Sequence, residues 1–358
     1  MPTLHAQVLA HPRLVALLGL LESAIDPATE DVLERAWLGF TFDRRAPIPD
    51  LFLPSRGGPR ALEFPPPPPV NDTLPATAEG YALMLIGQYA NCLAALRGGG
   101  GAPMVVRANY GTGILPSVLG CGVYVMPPEA NTLPTAIPLG RGGAEALLMR
   151  DIPPVTAGYG GQAFEIGALI KEIAARYPKI GRYVHVAHPD LQGPIDGAEV
   201  IWGSDLFFGV YDRPELAHAL LGRVCETYIR FMDAWGELFP AGDHGFHGGM
   251  MYRGTLMLRN DSAMNFSAEM FAEFIQPCDR LLLERCGGGA MHFCGRGDHY
   301  IAALCRTPRL YAVNMGQPRL NDPETIFRHT VDRGIKLIGT ERAFALEHRE
   351  RLGRMAQA

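Results

Sequence analysis

No apolar run in this chain approaches the roughly 18 to 20 residues that a membrane-spanning helix needs, so no membrane partner is expected. The first residues, Met1-Pro2-Thr3-Leu4-His5, show no basic start followed by an apolar stretch and a small-residue cleavage site, so secretion is not expected either. Blocks of Lys and Arg are missing as well. The 32 Lys+Arg against 37 Asp+Glu give a formal charge of −5, which leaves no electrostatic footprint for nucleic acid. The seven cysteines, Cys92, Cys121, Cys225, Cys278, Cys286, Cys294 and Cys305, are an odd number in a long chain, which favours free thiols and a cytoplasmic setting over a disulfide framework. There is no internal repeat, and no G-x-G-x-x-G follows a strand and opens a helix, so an open dinucleotide-binding sheet is disfavoured. Small molecules or other proteins are the partners expected, with a homodimer left open.

What is present fits one large enzyme barrel. The chain has 358 residues, 47% apolar and 19% charged, which is ordinary for a globular protein and within the range of a single (β/α)8 unit with insertions. Leu14, Leu17, Leu18 and Leu21, then Val32, Leu33 and Trp37, follow a helical period and predict helices ahead of the barrel. Residues 44–75 carry Pro47, Pro49, Pro54, Pro59 and the run 65–69. Proline lacks the amide donor that helices and central strands use, so an extended surface arm is expected. A helix over 78–96 ends at the glycines 98–101. Short apolar runs then alternate with helical patterns, as in a parallel sheet. The predicted strands are 104–108, 122–126, 183–187, 248–252, 255–258, 290–293, 310–314 and 335–338, with helices near 162–177, 213–235, 267–285, 298–306, 322–333 and 341–352. The expected fold is α/β, a (β/α)8 TIM barrel, with N-terminal helices and a Pro-rich arm over 1–76 and the catalytic barrel over 77–358.

The sharpest motif is Met291-His292-Phe293-Cys294-Gly295-Arg296-Gly297-Asp298 at the end of an apolar run. Residues two apart on a strand share a face, so His292 and Cys294 point the same way, into the mouth of a barrel. Gly295 and Gly297 permit a sharp turn, and Asp298 can cap the following helix while leaving amides free for an anion. Imidazole and thiolate are zinc ligands, and a catalytic zinc takes three protein ligands with one position open. The plainer alternative is a hydrogen-bonded core histidine beside a small buried cysteine.

Other strand ends carry candidates. In Asp243-His244-Gly245-Phe246-His247-Gly248-Gly249, His247 is the better placed general base or ligand, against an ordinary glycine-rich turn. Asp190 and Gln192 end the strand that contains His185, which itself is expected to be satisfied in the core; Asp190 is read as a catalytic residue and Gln192 as a substrate contact. Arg107, Asn109 and Tyr110 precede a glycine turn, where an arginine, an amide and backbone donors can hold a carboxylate or phosphate. Asn260 and Asp261, and then Asn314 and Gln317, are further substrate-binding candidates, although amides at strand ends often only satisfy loop backbone.

The stretch 244–320, with Asn260-Asp261, Ser267-Ala268-Glu269-Met270-Phe271, Gln276-Pro277 and His292-Phe293-Cys294-Gly295, resembles the C-terminal half of the uroporphyrinogen decarboxylase-like superfamily. Asp190-Leu191-Gln192-Gly193-Pro194 and Asp212-Arg213-Pro214-Glu215 resemble its central strand and next helix, and Asp43-Arg44-Arg45-Ala46-Pro47 does so more weakly. The resemblance covers most of the chain after about residue 100. It implies the barrel and one of two chemistries. Decarboxylation of uroporphyrinogen would use R-Q-A-G-R-Y and F-S-D-I segments, and neither string occurs here; Arg44, Arg45 and Arg60 are not arranged as a multi-carboxylate substrate requires. Methyl transfer by the zinc-dependent, corrinoid-linked relatives would use His-x-Cys and a later cysteine. His292 and Cys294 match, but no cysteine follows Cys305, and Ile338-Gly339-Thr340-Glu341 stands in that place, so Glu341 is the third ligand expected.

The resemblance therefore implies a zinc-assisted methyltransferase acting on a small methylated substrate or with a corrinoid. No segment here resembles a corrinoid-binding domain, so the corrinoid would sit on a separate protein. The alternatives are a metal-free decarboxylase of a small or tetrapyrrole carboxylate, with Arg107 as anchor and Asp190 or Asp261 stabilising a protonated intermediate, and a non-catalytic ligand-binding barrel.

Overall fold

A computed structural model describes residues 2–43 and 54–357. Arg44, Arg45, Pro47 and Pro49 lie outside the described residues.

The amino-terminal part is helical: α1 (Leu4–Leu9), α2 (Pro12–Ala24) and α3 (Pro27–Phe42), followed by α4 (Ala78–Gly98). Local chemistry sets their ends. Asp26 caps α3 by accepting from the Thr29 amide, with Pro27 at the first position, and Thr77 caps α4 by accepting from the Gly80 amide. Gly99 closes α4 at φ 70°, a conformation that costs glycine little. Between α3 and α4 the described part of the arm, 54–69, has no helix or strand, and its backbone bonds to Arg97 and Gly100 at the end of α4. Among the described residues, no helix is long and apolar enough to cross a membrane.

Among the described residues ten strands follow: β1 (Met104–Val106), β2 (Gly122–Tyr124), β3 (Thr135–Ile137), β4 (Val184–Val186), β5 (His244–His247), β6 (Met250–Arg253), β7 (Leu256–Arg259), β8 (Gly289–Phe293), β9 (Leu310–Met315) and β10 (Lys336–Leu337). β1 pairs with β4 in parallel, and β7, β8, β9 and β10 form a second parallel ladder in that order. Helices cross between successive strands, among them Gln276–Arg285 from β7 to β8 and Pro323–His329 from β9 to β10. This is mixed α/β architecture built on parallel strands.

The expected closed ring of eight strands is not seen among the described residues. Six of the predicted strands fall in the two parallel ladders, and the other two belong to antiparallel hairpins. Residues 122–126 contain β2, which pairs with β3 near the surface, where Tyr124 and Val125 are exposed. An apolar run alone does not reveal on which side of the molecule it sits. Residues 248–252 straddle a turn: Gly248 and Gly249, at φ 52° and 82°, link β5 to β6, and positive φ at both positions is what a two-residue hairpin turn demands.

The two ladders meet through a side chain. The imidazole Nε2 of His188 accepts the Met257 amide at 3.0 Å, so a ring nitrogen stands where a neighbouring strand's carbonyl would be. Close by, a Cβ on Gly193 would collide with the Arg259 carbonyl, so the backbones touch at their carboxyl ends. Among the described residues β10 and β1 are not paired, and a cleft of about 380 Å³ is lined by residues that include Trp37, Ala102, Gly249, Met250 and Gly339.

Alternation sorts the side chains of the β7–β10 ladder. Leu256, Leu258, Met291, Phe293, Val313 and Leu337 pack into the main core, which also takes Leu14 and Leu17 of α2 and Tyr89 of α4. Met257, Ala290, Ala312 and Ile338 point the other way, onto Phe246 and Met251 of the β5–β6 hairpin and Trp37 and Phe40 of α3. The two alanines leave room for the hairpin, so this second, smaller core fills that side of the sheet beneath the site.

Candidate functional site

One level above that small core, register sets Arg259, His292 and Asn314 side by side on β7, β8 and β9. They share the face of Met257, Ala290 and Ala312, two residues earlier on each strand, as the period of two requires.

His292 is held by a chain of bonds that fixes its tautomer. Asn314 Nδ2 donates to the carbonyls of Ile338 at 2.6 Å and Gly339 at 3.3 Å, so the Asn314 oxygen faces His292 and accepts from Nδ1 at 2.6 Å. The Nδ1 proton is thereby committed. Nε2 is left as the exchangeable nitrogen, 3.3 Å from Cys294 Sγ and 3.3 Å from Asp261 Oδ1. One donor atom each from Asp261, His292 and Cys294 lies within 4.8 Å of the others. The Cys294 amide donates to Asp261 Oδ1 at 3.0 Å, tying the carboxylate to the backbone of the thiol's own residue. Gly316 keeps the space clear, because a Cβ there would lie 2.9 Å from Cys294 Sγ and 3.5 Å from His292 Cε1.

The three groups perturb one another's protonation. Burial, and then the neighbouring Asp261 carboxylate, push the Cys294 thiol up to about 11. Burial also works to raise Asp261, yet the hydrogen bonding and charge of His292 outweigh it and hold that carboxyl below its ordinary range. Nε2 thus faces a sulfur and a carboxylate oxygen, a donor set that could hold a metal ion.

Beside this group lies a second cluster. Asp190 sits between two arginines, with Arg259 Nε at 3.0 Å and Arg107 Nη1 at 3.5 Å, and accepts from Gln192 Nε2 at 2.7 Å. Arg107 Nε donates to Asn109 Oδ1 at 3.2 Å. His247 Nε2 receives Arg107 Nη1 at 3.4 Å and also contacts Arg259 Nη2. Burial first, and then the two guanidiniums, keep His247 neutral, far below its ordinary value. Burial likewise lowers His188 to about 4. A pocket of about 400 Å³ opens against this cluster, and Arg107, Asn109 and His247 line it together with Gln88, Asn91 and Cys92. His292 and Cys294 do not line that pocket. Arg259 spans the two groups, bonding to His247 and Asp190 while lying next to His292 in register.

Several sequence candidates lie elsewhere. Glu341, expected as the third ligand, is turned to solvent and pairs with Arg319 at 3.4 Å; Asp261, expected to contact substrate, stands in that position instead. Tyr110 is fully buried, stacked on Tyr159 with ring centroids 5.0 Å apart, and is a core residue. Asn260 is buried beneath the site, where Nδ2 donates to Asp279 at 2.7 Å. Gln317 Oε1 accepts the Gly295 amide at 2.5 Å, and Asn321 Oδ1 takes the amides of Gly297 and Asp298 at 2.7 and 3.1 Å. The turn after Cys294 thus has those amides satisfied and offers no free nest for an anion. Asn314, expected to contact substrate, bonds to His292. Arg259 is the residue that sequence reasoning missed: it falls one position past the predicted strand 255–258, on the same alternation as Met257.

No protein-family model matches the chain, and no curated protein matches it. Solved structures do. The fold is similar to that of a methyltransferase from Methanosarcina mazei. The TM-score is 0.56 at 14% identity, over 86% of this chain and 82% of that one, so the likeness is one of fold.

Proposed function

We propose that Asp261, His292 and Cys294 hold a zinc ion and that the chain is a metal-assisted methyltransferase, acting on a small methylated substrate or with a corrinoid carried by a separate protein. The observation that carries this reading is the committed Nδ1 of His292, which leaves Nε2 facing a sulfur and a carboxylate oxygen, each 3.3 Å away. Nitrogen, sulfur and oxygen donors suit zinc, and three protein ligands leave a coordination position open, as catalytic sites do. Fold similarity to a methyltransferase supports the assignment of a reaction class. A bound zinc would act as a Lewis acid and lower the pKa of a coordinated thiol or water.

The chain's own residues do the rest. Asn314 keeps the His292 ring oriented and its proton on the far nitrogen. Cys294 would hold the metal as the thiolate, which is the ligating form. Arg107 orients a substrate on the pocket side, and Arg259 holds Asp190 and His247 behind it.

The reading is tested by metal content and turnover together. Purified protein reconstituted with zinc is expected to hold about one equivalent. Cys294→Ser and His292→Ala are expected to lose it, together with methyl transfer to a corrinoid or thiol acceptor. Protein that binds no zinc after careful reconstitution sinks the proposal and returns the choice to a metal-free decarboxylase or a binding barrel.

A further inference from the structure

We propose that Asp196 is a positioning residue for Asp261: its carboxylate fixes the chain just after β7, which sets the Asp261 carboxylate against His292 and Cys294 and so governs how tightly the site holds zinc. The metal clause rests on the function proposed above; the placement of Asp261 is measured without metal.

Support from the sheet ends just before Asp261. Register holds β7 to β8 as far as Arg259 opposite His292, and the Asn260 amide donates to the His292 carbonyl at 3.0 Å. The chain then enters a short 3-10 turn, Asp261–Asn265, in which the Ala263 amide reaches back to the Asn260 carbonyl. The amides of Asp261 and Ser262 come too early in the turn to find a partner within it, as at any helix start. Asp196 supplies both partners. Its Oδ2 accepts the Asp261 amide at 2.9 Å, and its Oδ1 accepts the Ser262 amide at 2.7 Å.

The brace comes from a distant and firmly seated element. Asp196 lies in the first turn of the helix Pro194–Trp202, 65 positions away from Asp261 along the chain, and is 4% exposed. The start of that helix abuts the end of β7, because a Cβ on Gly193 would lie 2.2 Å from the Arg259 carbonyl oxygen and 2.2 Å from Asn260 Oδ1. Burying a carboxylate is costly unless hydrogen bonds compensate it, and here two amides do so. A hydroxyl or amide side chain offers one acceptor oxygen, whereas a carboxylate offers two, and Asp196 spends them on consecutive amides. Two bonds to adjacent peptide units fix a direction as well as a position.

That direction decides where the Asp261 carboxylate goes. Aspartate has two side-chain torsions, so from a fixed backbone its oxygens reach few places. From this backbone Oδ1 stands 3.0 Å from the Cys294 amide and 3.3 Å from His292 Nε2. Without Asp196 the turn keeps its internal bond but not its angle to the strand, and the carboxylate no longer converges with the imidazole and the thiol.

The test has a metal-free and a zinc-loaded arm, both on the full chain. In zinc-free Asp196→Ala, amide hydrogen exchange followed by NMR should speed up at Cys294 by about tenfold as Asp261 moves away, while the Gly297 amide, held by Asn321, exchanges as before. In the zinc arm, competition with a chelator should show affinity lowered by about 10- to 100-fold in Asp196→Ala. Adding Asp196→Ala to Asp261→Ala should lower it little further, because Asp196 acts through that one side chain. Asp196→Asn keeps one acceptor oxygen and should give smaller changes of the same kind; it decides the matter where the alanine variant does not fold. Unchanged exchange at Cys294, equal acceleration at Gly297, or additive losses in the double variant would overturn the proposal. Unaltered protein that takes up no zinc, with Cys294 exchange responding as stated, sinks the metal reading alone; zinc uptake with no response at Cys294 sinks this inference alone.

Discussion

Asn314 shows how much of the site depends on a residue that touches no reacting atom. Its amide is pinned by two backbone carbonyls, and that orientation decides which His292 nitrogen is protonated. Outer partners of a metal-bound histidine typically contribute about 10- to 100-fold in metal affinity. Asn314→Ala should therefore lower zinc affinity by about that factor, measured by competition with a chelator, while the sulfur ligand is kept; unchanged affinity would show that the tautomer is set by something else. At this scale the sequence was partly legible. The spacing of His292 and Cys294 placed both groups correctly on one face, because strand alternation is strictly periodic. The third donor was sought further along the chain, at Glu341, whereas it comes from Asp261 at the end of the adjacent strand. Which strands lie next to each other is a property of the sheet, invisible to spacing along the chain. The role of Asn314 was hidden for the same reason, since its partner is 22 positions away.

The β5–β6 hairpin is the element that makes this sheet unlike a plain ring. Phe246 on β5 stacks on His185 of β4 with ring centroids 3.8 Å apart, which fastens the hairpin to the β1–β4 ladder. Burial lowers His185 to about 4. The unfolded chain takes up a proton near pH 6.5 and the folded chain does not until about pH 4, so the unfolded state binds more protons in between. The stability His185 contributes is fully present above about 6.5 and is lost as the pH falls from there toward 4. His188, also lowered to about 4, acts in the same window. Thermal unfolding should show a falling midpoint across this range, and His185→Gln should flatten the fall; an identical slope in the variant would mean that this imidazole is not held neutral. The hairpin was also the hardest element to read. His244–His247 alternates too weakly in polarity to look like a strand, and the Gly248-Gly249 turn was absorbed into the apolar run that follows.

Across the whole molecule, parallel strands joined by helices were legible because short β-branched and apolar runs alternate with helical periods after residue 100. Whether the strands close into a ring was not, because it depends on pairing between distant strands: a histidine side chain meets the Met257 amide between the two ladders, and β10 and β1 are not paired among the described residues. The similarity in fold to a methyltransferase extends over most of the chain, whereas the chemistry proposed above rests on three side chains from two neighbouring strand ends. X-ray absorption at the zinc edge of the reconstituted protein tests that claim most directly. The account predicts a shell with one sulfur at about 2.3 Å and nitrogen or oxygen at about 2.0 to 2.2 Å, with the sulfur lost in Cys294→Ser. A zinc shell without sulfur in the unaltered protein, or one that keeps its sulfur in Cys294→Ser, would contradict it.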